Sequence, residues 1–239
     1  SQSEANAEDD TINLAEGVYN VTTTLTYSSF ENYSLTLSGA SKHSCILNGG
    51  EITQILSITT TGARADIAIG KLTLQNGSTT QNGGALNVEV QGADINLHNC
   101  LILDSKTTGE ESVGGGAVLS SETGTISVQS CGVYRNLSQG NVGGLYLSTS
   151  SGTGEVKDCV FSENIVNNSE GWEYYGDGGG LMFYSEASSQ ANISNNTFRG
   201  NTASGGSNPD GRGLMTYQLG AQSSLLLDNN IFEGNTAGL

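Results

Sequence analysis

The stretch of this chain richest in groups able to do chemistry runs from Ile165 to Gly178 and holds Glu170, Trp172, Glu173, Tyr174, Tyr175 and Asp177. It carries the only Trp and two of the nine Tyr. Aromatic rings beside carboxylates suit sugar recognition: a ring covers apolar C–H groups while the carboxylates accept hydroxyl protons. A second long turn, Gly205 to Arg212, contains Asn208-Pro209-Asp210-Gly211 and follows one repeat later. Trp172, Tyr174, Tyr175, Asp177 and Arg212 are therefore the ligand-contact candidates, and the two turns are expected to form one wall. Packing of the same aromatics against the body of the protein is the competing use. The oxygen donors Glu170, Glu173, Asp177 and Asp210 are candidate Ca²⁺ ligands, without an EF-hand or nonapeptide motif to support them. Ca²⁺ is the one cofactor for which the sequence offers ligands.

Catalytic constellations do not assemble from the spacing. His43 and His98 stand alone in separate repeats, and the eight basic residues are scattered from Lys42 to Arg212. No Ser-His-Asp set emerges, and glycoside hydrolysis would need two carboxylates on one face. The four cysteines, Cys45, Cys100, Cys131 and Cys159, do not follow zinc-site spacing. A formal charge of −16 with no cluster of Lys or Arg excludes nucleic acid as a partner, because phosphate binding needs concentrated positive charge. No apolar run reaches the ~20 residues of a spanning helix.

The scaffold for these groups is a repeat. Asn99-Cys100-Leu101-Ile102, Ser130-Cys131-Gly132-Val133, Asp158-Cys159-Val160-Phe161, Asn195-Asn196-Thr197-Phe198 and Asn229-Asn230-Ile231-Phe232 superimpose, with column spacings of 31, 28, 37 and 34 residues. Three residues beyond each stands Ser105, Asn136, Asn164, Asn201 or Asn235. Between them recur Gly83-Gly84-Ala85-Leu86, Gly115-Gly116-Ala117-Val118, Gly143-Gly144-Leu145-Tyr146, Gly179-Gly180-Leu181-Met182 and Arg212-Gly213-Leu214-Met215. Period-two pairs such as Ile67/Ile69, Ile95/Leu97 and Ile126/Val128 precede the cysteine column, while the fourth coil keeps only Val156, two residues beyond Gly154. One coil of short strands cannot bury its inward face alone, but stacked coils can.

The expected fold is all-β: a right-handed parallel β-helix of about 30 residues per coil with three short strands in each. Residues 1–10 are expected to form a polar tail or cap, and 11–239 a single solenoid domain. Cys100, Cys131 and Cys159 fill one inward column as buried thiols, since stacked strand neighbours rarely meet disulfide geometry. Cys45 is expected to begin the same column. Asn136, Asn164, Asn201 and Asn235 form a structural ladder, and Asn99, Asn195 and Asn229 suit a tight left-handed corner. The pattern stops within a repeat at Leu239. The chain is thus expected to be part of a longer protein whose open C-terminal coil can self-associate.

The Gly-Gly-Ala-(Ile/Leu/Val) and Phe-x-x-Asn blocks resemble the repeats of the polymorphic outer-membrane protein family. The second motif occurs as Phe161 to Asn164, Phe198 to Asn201 and Phe232 to Asn235. The resemblance covers residues 67–239 and implies an exported, surface-displayed passenger region without enzymatic activity. That region would serve as an adhesin or structural stalk and present side loops to a host or cell-surface glycan or protein. A polysaccharide-active lyase or epimerase, or a carbohydrate-binding module using the 165–178 and 205–212 turns, is the alternative.

Overall fold

The computed structural model describes residues 8–62, 64–168, 177–204 and 211–237. Every named element among them is a β-strand, and all strand pairings are parallel. The chain winds as a β-solenoid of about 7 turns with roughly 31 residues per turn. Sheet 1 stacks eight strands from Asp10–Leu14 to Ser224–Asp228, and sheet 2 stacks eight from Gly17–Asn20 to Ile231–Glu233. Sheet 4 stacks seven from Leu25–Ser29 to Leu214–Gln218.

Sheet 3 is a fourth ladder where the repeats lead one to expect three. It begins at Ser78–Thr79 and ends at Thr236–Ala237. Its strands are only two or three residues long, too short to show alternation, so the sequence reads them as turn.

Register is set by inward apolar columns. Ile67, Ile95 and Ile126 align in sheet 1. In sheet 2 the column runs Leu47, Leu74, Ile102, Val133, Phe161, Phe198 and Phe232. The three phenylalanines stack with centroids 5.0 and 4.9 Å apart. A one-residue slip would turn every such column to solvent, so the columns hold the pairing. At the last coil the inward Leu225, Leu227 and Phe232 remain exposed because no further coil covers them in this structure.

The corners are fixed by left-handed backbone. Lys71, Asn99, Ser130, Asp158, Asn195 and Asn229 all have φ near +50 to +58° between sheets 1 and 2. Asn76, Asp104, Arg135, Glu163, Gly200 and Gly234 repeat that conformation between sheets 2 and 3. The strand entering sheet 4 is preceded by Gly83, Gly114, Val142, Gly178 or Gly211, again with positive φ.

Two internal ladders satisfy the buried polar backbone. Asn164 Oδ1 accepts the Asn136 backbone N–H at 3.1 Å and its Nδ2 at 3.0 Å. Asn164 Nδ2 donates to Val133 O and to Asn201 Oδ1, each at 2.9 Å. Asn201 repeats the pattern with Phe161 O and Asn235. The ladder stops at Ser105, whose Oγ instead accepts the Gly77 N–H.

This ladder explains why the two sequence motifs travel together. A Cβ on Gly116 would lie 2.9 Å from the Asn136 amide carbon, and on Gly144, 3.1 Å from that of Asn164. Gly180 meets Asn201 and Gly213 meets Asn235 in the same way. Ala85 occupies this position where the ladder residue is the smaller Ser105, so a methyl is accommodated there. The pairing also corrects the alignment of the first block. Leu86 pairs with Ala117, so Gly84-Ala85 corresponds to Gly115-Gly116 and the first copy slips by one.

The cysteine column behaves as a weaker version of the same device. Ile46 pairs with Thr73, which places Cys45 and Leu72 in one column ahead of Cys100, Cys131, Cys159, Asn196 and Asn230. All four thiols are free and buried. They are more than small apolar fillers: Cys131 Sγ accepts the Cys100 N–H at 3.5 Å and lies 3.2 Å from Gln129 O. Asn196 Oδ1 does the same for the Cys159 N–H at 2.9 Å. Hydrogen bonding to the Cys100 sulfur, then burial, pushes the Cys131 thiol up to about 12, and Cys159 is raised by its bond to Cys131 and by burial. Both are protonated at neutral pH and shielded from reagents.

Candidate functional site

Of the contact residues expected from the sequence, Trp172, Tyr174 and Tyr175 lie outside the described residues, as do Glu170, Glu173 and Asp210. Asp177 and Arg212 are described. Asp177 is partly buried; its N–H donates to Asn141 Oδ1 at 2.6 Å and its carbonyl accepts from Val142. Arg212 is exposed, and its carbonyl accepts the Gly180 N–H at 3.1 Å. The Asn168 N–H donates to Ser204 O at 3.1 Å. The stems of both long turns therefore leave sheet 3 and enter sheet 4 in adjacent coils, side by side. No group of three metal-capable side chains occurs among the described residues.

A feature the sequence did not reveal lies on the outer face of sheet 4, next to those stems. Tyr146 and Tyr184 stack with ring centroids 6.4 Å apart, and Tyr184 and Tyr217 at 5.7 Å with planes only 5° apart. The rings do not occupy one sequence column. Tyr184 pairs with Tyr217, but Tyr146 pairs with Met182, and Ser148 is opposite Tyr184. Tyr146 thus reaches diagonally toward Tyr184, which is within range for an aromatic side chain. Counting one and three residues past Leu145, Leu181 and Leu214 as outward positions is the signal that would have found them. It misplaces Tyr146 by one pair, which hid the stack.

Beyond Tyr146 the face hollows into a groove of about 310 Å³ lined by Thr59, Glu89, Val118, Ser120, Glu122 and Tyr146 among others. Val118 supplies a nearly buried apolar floor. Glu89 is held by an Asn87 Nδ2 bond of 2.9 Å. The Glu122 backbone is pinned where Ser150, Ser151 and Thr149 all donate to its carbonyl. Burial, with Tyr184 and Glu186 nearby, holds the Tyr146 phenol above its ordinary pKa despite the opposing Ser148 hydroxyl. It is therefore a neutral donor throughout the physiological range.

No family model, curated protein or solved structure matches the chain significantly. The family resemblance of the Gly-Gly-Ala and Phe-x-x-Asn motifs accordingly stands on those residues alone. The structure accounts for them as a buried amide ladder with the glycines that make room for it. Among the described residues no helix is long and apolar enough to cross a membrane, which says nothing of a β-barrel. A larger hollow, about 940 Å³, opens at the N-terminal mouth between Leu14, Tyr19, Leu35 and Ile58 and belongs to the uncovered end of the core.

Proposed function

We propose that this chain is a non-enzymatic, surface-displayed solenoid, an adhesin or stalk, that makes contact through the outer face of sheet 4 and the two turns beside it. The observation that carries this reading is the Tyr146–Tyr184–Tyr217 stack. Three aromatic rings on the outside of a sheet are not needed by a core already filled by its inward columns. Loops and outward side chains on a rigid scaffold are where contact residues collect. The acidic surface keeps such a rod soluble and points its partner away from anionic surfaces.

Beads coated with the protein should adhere to cell surfaces or immobilised glycans. Changing Tyr184 and Tyr217 to Ser should remove most of that adherence without lowering the thermal midpoint. Adherence unchanged in that variant, or none from the parent protein, would overturn the reading. A second reading is favoured by Glu89 and Glu122 lining one groove, since paired carboxylates cleave glycosidic bonds. New reducing ends formed from a bound polysaccharide, and lost in Glu122→Gln, would establish it in place of the first.

A further inference from the structure

Resting on the contact-face reading, we infer that the groove between Thr59 and Tyr146 is a binding site for a neutral hexose chain lying along the solenoid axis. The chemistry of the lining selects the ligand. Tyr146 has Tyr184 against one side and stands at the end of the groove on the other. Its ring can cover the apolar C–H face of a sugar, and its phenol can donate to a ring or hydroxyl oxygen. Glu89 and Glu122 accept hydroxyl protons, Ser120 and Ser148 exchange them in either direction, and Val118 offers an apolar floor. A surface with alternating apolar and hydroxyl-accepting groups matches a pyranose, which has both on one ring.

Charge narrows the class. Among the described residues the groove is lined by carboxylates and by no Lys, Arg or His, so uronates, sialosides, sulfated sugars and phosphates would be repelled. That removes the acidic polysaccharides on which a lyase acts. Length fits a chain rather than a single sugar. The lining runs from Leu56–Thr60 across two strands to Leu145–Thr149, three strand intervals or about 14 Å. The two carboxylates sit on successive coils, Glu89 beside its sheet strand's end and Glu122 just past the next.

The test uses the chain as it is, with cello-, laminari-, malto- and manno-hexaose and an oligogalacturonate, read by titration calorimetry and saturation-transfer NMR. At least one neutral hexaose should bind, with its ring protons receiving saturation. Affinity should fall about tenfold or more in Tyr146→Ala, the range expected for losing a stacked aromatic contact. Ser120→Trp, which fills the groove from an outward position, should abolish binding, while Tyr134→Ala on sheet 2 should leave it unchanged. Binding of no neutral hexaose, binding of the oligogalacturonate alone, or affinity retained in both groove variants would overturn the inference. Adherence of coated beads that survives such a result would show that the contact face stands and only the groove assignment has failed.

Discussion

Asn164→Leu is expected to destabilise the protein by about 4 kcal/mol or more, since each buried polar group left without a partner costs roughly 1–3 kcal/mol. The substitution keeps the volume but removes four bonds at once. The Asn136 N–H loses its acceptor and Val133 O its amide donor, while Asn136 Nδ2 keeps only Ile102 O and Asn201 Oδ1 keeps only the Asn164 N–H. None of these groups can reach water, because Asn136, Asn164 and Asn201 are fully buried. The losses will not add simply, since the amides polarise one another along the stack. Asn96→Leu, on the exposed outer face of sheet 1, is the control and should change stability by no more than about 0.5 kcal/mol. Urea unfolding of the three proteins reads the difference. A loss at Asn164 no larger than at Asn96 would mean that the amide column is not what closes the coils.

The second large effect runs against what the repeat pattern recommends. Gly154 stands where Ile67, Ile95 and Ile126 stand in earlier coils, so restoring Ile looks like a repair. It should instead destabilise the protein by about 3 kcal/mol, at the upper end of overpacking costs. A Cβ at Gly154 would lie 2.3 Å from Phe183 Cε2 and 2.7 Å from Cδ2. The ring fills the space that Ile126 fills one coil earlier, where the residue opposite Phe183 in register is the smaller Leu147. Gly154→Ile combined with Phe183→Leu should therefore recover much of the loss, with a coupling of about 1.5 kcal/mol or more between the two sites. Additive behaviour of the pair, measured by thermal and urea unfolding, would show that Gly154 is required for a reason other than the ring.

These two positions mark how far the sequence could be read. The columns of Cys, Asn and Phe are visible because identical residues recur at coil spacing, and the left-handed corner at Asn99, Asn195 and Asn229 follows from residue type. Compensation across the core is not visible, because Gly154 and Phe183 belong to different sheets and nothing in their spacing links them. The same holds for Gly144 and Asn164, although those two motifs announce themselves separately. Sheet 3 escaped because two-residue strands have no period. The tyrosine stack escaped because Tyr146 sits one pair out of register with Tyr184, so a search for columns passes over it. The expected aromatic contact at Trp172 falls outside the described residues, and the face beside its stem supplies a second, independent set of aromatics.

If contact is made by the outer face of sheet 4, oxidative footprinting of the tyrosines will show it. The protein would be labelled free and while bound to the surface or glycan to which its coated beads adhere. Tyr146, Tyr184 and Tyr217 should become protected together, while Tyr134, outward on sheet 2, keeps its free-state reactivity. Protection of Tyr134 with the sheet 4 tyrosines unchanged would place the contact on another face and rule sheet 4 out.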